Sequence, residues 1–124
     1  MIASFEKELK KLQKKYPSLG KDFQDFQRFL SIYPEGIWTG DIVRINGLGE
    51  EILLPIYKVK SFRCYSIAKN STNSGIRIIY VYDKSSEVIE FIEFIEIYHK
   101  GSKELEDRSR IIDIYKNRER LWKE

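Results

Sequence analysis

Lys58 and Lys60 stand two residues apart in YKVKSF, and Arg77 follows in SGIRIIYVYD. Alternate side chains of an extended strand share a face, so the two lysines point together while Tyr57 and Val59 point the other way. The local charge has one sign: from Ile52 to Tyr82 there is no Asp or Glu, while Lys58, Lys60, Arg63, Lys69 and Arg77 all fall inside. Burying lysines without partners is costly, which predicts an open lysine face and a Tyr57/Val59 face turned toward helices. If the strands carrying Lys60 and Arg77 pair antiparallel, Arg77 stands beside the two lysines on one concave face. Phosphate oxygens suit such a cluster, because each Lys or Arg brings a charge-assisted donor to an anion. The same spacing also describes a solvated face or a charged guard on a sheet edge. The missing acids argue against that second reading, since solvated surfaces mix signs.

Other chemistries find little material. The chain has no Walker-type loop, no dinucleotide-binding glycine pattern and no Gly-x-Ser-x-Gly elbow. With one histidine, His99, and one cysteine, Cys64, a His-rich or cysteine-based metal site and an intrachain disulfide are excluded. The acids are scattered over helix surfaces and bound the basic stretch rather than entering it. Cys64 reads as a small core residue and His99 as a structural or exposed one.

Positioning the cations requires a sheet. The 124 residues, 42% hydrophobic, suffice for one domain, and the formal charge of +3 says less about partners than its distribution does. Phe5, Leu9, Leu12 and Tyr16 recur at helical spacing before Pro17, and Phe23, Phe26, Leu30 and Tyr33 repeat the pattern before Pro34. This predicts a helical hairpin over residues 4–33. Short β-branched runs then give strands at Asp41 to Ile45, Ile52 to Phe62 and Ile76 to Tyr82, with turns at Asn46 to Glu50 and Asp83 to Ser86. A sheet over 41–100 and a C-terminal helix over 103–121, N-capped by Ser102, complete an α+β domain of order ααββββα. The expected architecture is a small antiparallel sheet with the two N-terminal helices on one face. The first residues become charged by Glu6, and no apolar run approaches the roughly 20 residues that span a bilayer, so a cytoplasmic protein is expected.

The succession FEKELKKLQKKYPSL, YKVKSF, SGIRIIYVYD and IEIYHKGSKE resembles toxins of the RelE/ParE superfamily, in particular the RelE/HigB-like members of type II toxin–antitoxin pairs. The resemblance runs from Phe5 to about Tyr115 and rests on order and spacing. It implies a metal-independent, cofactor-free mRNA endonuclease that cuts transcripts on the ribosome and is held by a cognate antitoxin. The Lys-x-Lys strand, the Gly-x-Arg strand and the basic end of the last strand fall on Lys58, Lys60, Arg77 and Lys100 as catalytic positions, with Lys58, Lys60, Lys69 and Arg77 as RNA contacts. Arg63, Glu96, Tyr98 and His99 are accessory candidates. Clustered cations would stabilise the dianionic phosphorane formed when a ribose 2′-OH attacks its own phosphate. A lysine whose pKa is lowered by neighbouring charge would serve as base. The region after Lys100 reads GSKELED, without the tyrosine that RelE-like enzymes often carry there, which leaves Tyr98 or His99 as proton donor. The segment 36–54 looks longer than the family's usual connection, as an elaborated hairpin contacting a partner would be. Two alternatives share the fold: a ParE-like gyrase inhibitor and an inactive antitoxin-binding module.

VIEFIEFIEIYHK, the last strand, puts a glutamate at every third position. Counting back from Lys100 at period two, Tyr98, Glu96 and Phe94 share its face, while His99, Ile97 and Ile95 turn to the helices. Glu96 is then the acid near the cations, either pairing with Arg77 or Lys60 or acting as general base. Glu90 and Glu93 take opposite faces unless a bulge intervenes, and both sit in water at the end of an extended hairpin.

Overall fold

Apolar residues three and four apart wind the N-terminus into two helices, α1 (Ala3–Lys15) and α2 (Leu19–Ile32). Lys14 and Lys15 fall in the last turn of α1, where cations oppose the helix dipole. The turn between the helices is pinned to a distant loop. The Ser18 and Ser66 amides each donate to the other's hydroxyl at 2.8 Å, and Asp22 Oδ2 accepts the Tyr65 amide at 2.9 Å.

The computed structural model describes residues 2–33, 42–49, 52, 54–69, 74–84 and 90–116. Four strands follow the hairpin: β1 (Ile42–Arg44), β2 (Ile56–Val59), β3 (Ile76–Lys84) and β4 (Glu90–His99), and α3 (Arg108–Tyr115) ends the described chain. The sheet order is β1-β2-β3-β4 with every neighbour antiparallel. This is the α+β architecture expected from the sequence. Among the described residues no helix is long and apolar enough to cross a membrane.

Two cores form because both faces of the sheet are covered. Phe5, Leu19, Phe23 and Leu30 of α1 and α2 pack on Val59, Ile78, Tyr80, Phe94 and Ile97. On the other face Ile111 and Tyr115 of α3, with Ile45 and Leu54, pack on Ile56, Ile79, Val81 and Ile95. A central strand buried on both sides has no polar face to show, which is why IRIIYVY does not alternate. Tyr57 and Val59 turn toward the helical hairpin as expected, with the Tyr57 ring stacked on Tyr80 at 5.5 Å. Three rings set the centre of the first core: Phe5 to Phe23 at 5.3 Å, Phe5 to Phe94 at 5.5 Å and Phe23 to Phe94 at 4.9 Å. Phe5→Ala would empty the fully buried corner of this triangle and is expected to remove about 3–5 kcal/mol, read as a lowered urea midpoint at unchanged slope.

Two expectations are corrected by the second face, which also takes in part of the 36–54 segment: Ile45 and Leu54 are buried in the second core, and the Ile45 amide donates to the Ile56 carbonyl at 2.8 Å. The C-terminal helix begins at Arg108, with Asp107 as its cap accepting the Arg110 amide at 3.0 Å, so Ser102 is not the N-cap. Residues 100–107 form a strap because β4 competes for their polar groups: Glu96 takes the Asp107 amide at 2.8 Å, and the Ser102 and Lys103 amides turn back to the His99 carbonyl. The second correction concerns β4. Ile79 pairs with Glu96 but Tyr80 pairs with Phe94, so Ile95 is an extra residue, a β-bulge. Phe94 therefore joins the helical core and Ile95 the α3 core, the reverse of the period-two count. The bulge also puts Glu93 and Glu96 on one face despite their odd spacing. Glu93 is half-buried and accepts the Tyr115 hydroxyl rather than standing in water. The expected turn at Asp83 to Ser86 is replaced in part by β3, which runs on through Lys84; residues 85–89, the 117–121 part of the expected helix and the Glu90 side chain lie outside what is described.

Candidate functional site

Strand register assembles the cations at one end of the sheet. Lys58 pairs with Ile79 and Ile79 with Glu96, so the next row holds Lys60, Arg77 and Tyr98. Arg77, half-buried, donates through Nη1 to the Lys60 carbonyl, which anchors the guanidinium beside the exposed lysine. Beyond β4 the pairing continues one step, the Lys100 amide donating to the Gly75 carbonyl at 2.9 Å. The Lys100 side chain is exposed and runs past Gly75, where an added Cβ would meet its Cγ at 3.3 Å. Lys60, Arg77 and Lys100 thus belong to one rim.

Lys58 does not lie on an open face. The strap brings Glu106 over it, Nζ to Oε1 at 2.9 Å, with the two side chains 13% and 3% exposed. Arg108 Nε holds the other carboxylate oxygen at 3.0 Å. A lysine can be covered here because its counter-charge arrives from the C-terminal segment. Burial by itself would lower the Lys58 pKa, but the bond to Glu106 and the neighbouring Tyr98 outweigh it and raise the pKa above its ordinary value. Lys58 is therefore held protonated, contrary to the lysine base expected from clustered cations. Burial likewise pushes Glu106 upward, yet its bonds from Lys58 and Arg108 hold it below the usual carboxylate range.

Tyr98 and His99 point to opposite sides of β4, as adjacent strand residues must. The Tyr98 hydroxyl is buried on the α3 side; among the described residues it is the one buried side-chain polar atom without a hydrogen bond. Burial raises its pKa, and although the Lys58 charge opposes that shift, the two groups do not meet in hydrogen-bond geometry. Glu96 is fully buried and pairs with Lys103 and the Asp107 amide, not with Arg77 or Lys60. Its role here is to clamp the strap, and its oxygens are engaged, which removes it from service as a free base.

His99 faces the helical hairpin. Its Nδ1 accepts the Gly101 amide at 3.0 Å, which assigns the proton to Nε2, 3.1 Å from the Ser74 carbonyl. Gly75 is needed for this fit: its φ is +83°, and a Cβ there would come 2.9 Å from His99 Nε2. Arg63 sits away from the rim, beside Phe26, Phe29 and Phe62 in a groove of about 250 Å³ on the helical side. Lys69 is exposed in the loop after Cys64, its ammonium 5.9 Å from the Tyr65 ring centroid. Cys64 is a buried thiol in the first core. The sequence reading missed Glu106, Lys103 and Arg108; the dense charge of SKELEDR directly after the last strand is the signal that points to them.

The chain matches no family model, no curated protein sequence and no solved structure.

Proposed function

We propose that this chain is the toxin of a type II toxin–antitoxin pair, a cytoplasmic, ribosome-dependent mRNA endonuclease of RelE/HigB-like type working without metal or cofactor. The observation that carries the reading is the cationic rim of Lys60, Arg77 and Lys100, in which the Arg77 guanidinium is anchored on the Lys60 carbonyl and both lysine side chains are exposed. Exposed cations on one rim suit a phosphate ester, whose oxygens accept charge-assisted hydrogen bonds. In the reaction, the ribose 2′-oxygen attacks the adjacent phosphorus as its proton passes to solvent water. Arg77, Lys60 and Lys100 neutralise the equatorial oxygens of the phosphorane, and water protonates the departing 5′-oxygen, since the Tyr98 hydroxyl is enclosed on the α3 side, leaving a 2′,3′-cyclic phosphate and a 5′-hydroxyl. Lys58, protonated and paired with Glu106, does not accept a proton. The partners are mRNA, the ribosome and an antitoxin.

Inducing the chain in a bacterial host and mapping transcript 5′ ends is expected to show cuts phased to the reading frame; growth arrest with intact mRNA would overturn the proposal. One feature favours an inactive antitoxin-binding module instead: Glu106 neutralises Lys58 from within the chain. That reading expects neither cleavage nor arrest, and a gyrase inhibitor of ParE type expects cleaved DNA with intact mRNA.

A further inference from the structure

A second basic surface lies on the other side of β4 from the Lys60 and Arg77 rim. Between α1 and the end of β4 is a cleft of about 330 Å³ whose walls include Lys11, Lys15, Tyr16, Tyr98, His99 and Lys103. Lys11 and Lys15 lie four apart on α1, one turn above the other on one helix face, and both are exposed. Glu8, the one acid among the described lining residues, is already matched: Arg110 holds its two oxygens at 3.0 and 2.8 Å. The net field of the cleft is positive.

Its aromatic groups are arranged among those cations. The Tyr16 and His99 rings lie 5.9 Å apart at 31°, and the Lys15 ammonium stands 5.5 Å from the Tyr16 centroid. On the opposite wall Lys103 stands 5.1 Å from the Tyr98 ring centroid. The His99 ring plane is fixed by the Gly101 amide and the Ser74 carbonyl, in space kept open by Gly75 and Gly101. Flat rings interleaved with ammonium groups are the elements with which proteins hold unpaired nucleic acid, rings taking bases and cations tracking the backbone. An acidic peptide would use the lysines but would gain little from the rings.

We infer that this cleft binds single-stranded RNA, with Tyr16 and His99 forming the platform for a base and Lys11 and Lys15 contacting the flanking phosphates. That the strand is RNA rests on the function proposed above; that it is unpaired nucleic acid rests on the cleft. Transcript would then be gripped on one side of β4 and cut on the other.

The test is fluorescence anisotropy of the purified full chain with a labelled oligouridylate about 12 nucleotides long, within the range that one such site occupies. The Lys11→Gln/Lys15→Gln variant should reduce the slope of log Kobs against log salt by about 1.4, two phosphate contacts on a single strand. Tyr16→Leu should weaken binding about 5- to 150-fold, while Tyr16→Phe retains it. Because Tyr16 also packs against the first core, the lysine pair decides the matter if Tyr16→Leu does not fold. An unchanged slope in the lysine variant overturns the inference. So does equal affinity for a duplex of the same charge, or competition by polyglutamate as effective as by oligouridylate, which would mark a groove for an acidic protein segment. Phased transcript cuts with an unchanged slope would remove the cleft alone. Loss of slope in the variant, with no cuts from the parent chain, would keep the cleft and remove the nuclease.

Discussion

Arg77→Ala is expected to abolish growth arrest and to reduce transcript cleavage by on the order of 10²- to 10³-fold, the scale of removing one preorganised donor from a developing oxyanion. The guanidinium is the central group of its row, between Lys60, one residue past β2, and Tyr98 on β4. Its bond to the Lys60 carbonyl fixes the planar fork before substrate arrives, so little ordering is left for the transition state. Arg77→Lys keeps the charge and loses the fork, and its cleavage should fall between parent and alanine variant. Since the side chain belongs to the rim and not to either hydrophobic core, the alanine variant should fold and still bind the antitoxin. Co-purification with the antitoxin, alongside 5′-end mapping, separates loss of chemistry from loss of structure. A fully toxic Arg77→Ala would remove the site assignment.

Glu106→Ala should destabilise the fold by about 3 kcal/mol, the low end for breaking a buried pair, because it strands the Lys58 ammonium in a largely covered position. It also removes the acceptor of Arg108 Nε, loosening the strap where it crosses β2. The pH dependence gives a second readout. Glu106 has a folded pKa below its ordinary 4.5, so its contribution is complete above that value and is lost as pH falls through the folded pKa. Lys58 has a folded pKa above its ordinary 10.5, so its contribution is complete below that value and is lost as pH rises through the folded pKa. The pair therefore supports the fold fully between those two ordinary values. Urea midpoints of the Glu106→Ala variant across pH should lose this component at both ends. Replacing both partners, Lys58→Met with Glu106→Leu, should recover most of the loss, as apolar groups leave no orphan charge. No recovery in the double variant would mean that Glu106 acts through Arg108 and the strap rather than through Lys58.

Much of the scaffold was legible locally. The two N-terminal helices follow from apolar spacing and the prolines after Tyr16 and Tyr33, and β3 follows from the strongest β-branched run. Register then put Arg77 beside Lys60, as antiparallel pairing of two neighbouring strands requires. The period-three glutamates were legible only as an anomaly. Their resolution, a bulge at Ile95, depends on which β4 residue meets Tyr80, and no count along β4 alone contains that information.

By itself the sequence determined periodicity and local charge: which segments wind or extend, where the sheet's neighbours lie, and that the stretch from Ile52 to Tyr82 is free of acids. Only the tertiary structure decided which charges meet. Glu106 lies 48 residues from Lys58, and its approach turned an expected open lysine into a covered, protonated one. It also decided that Glu96 clamps Lys103 and the α3 cap instead of serving Arg77. The reason is physical: hydrophobic periodicity acts over one or two turns of chain, whereas the pairing of a buried charge is settled by whichever opposite group the packed cores bring within 3–4 Å.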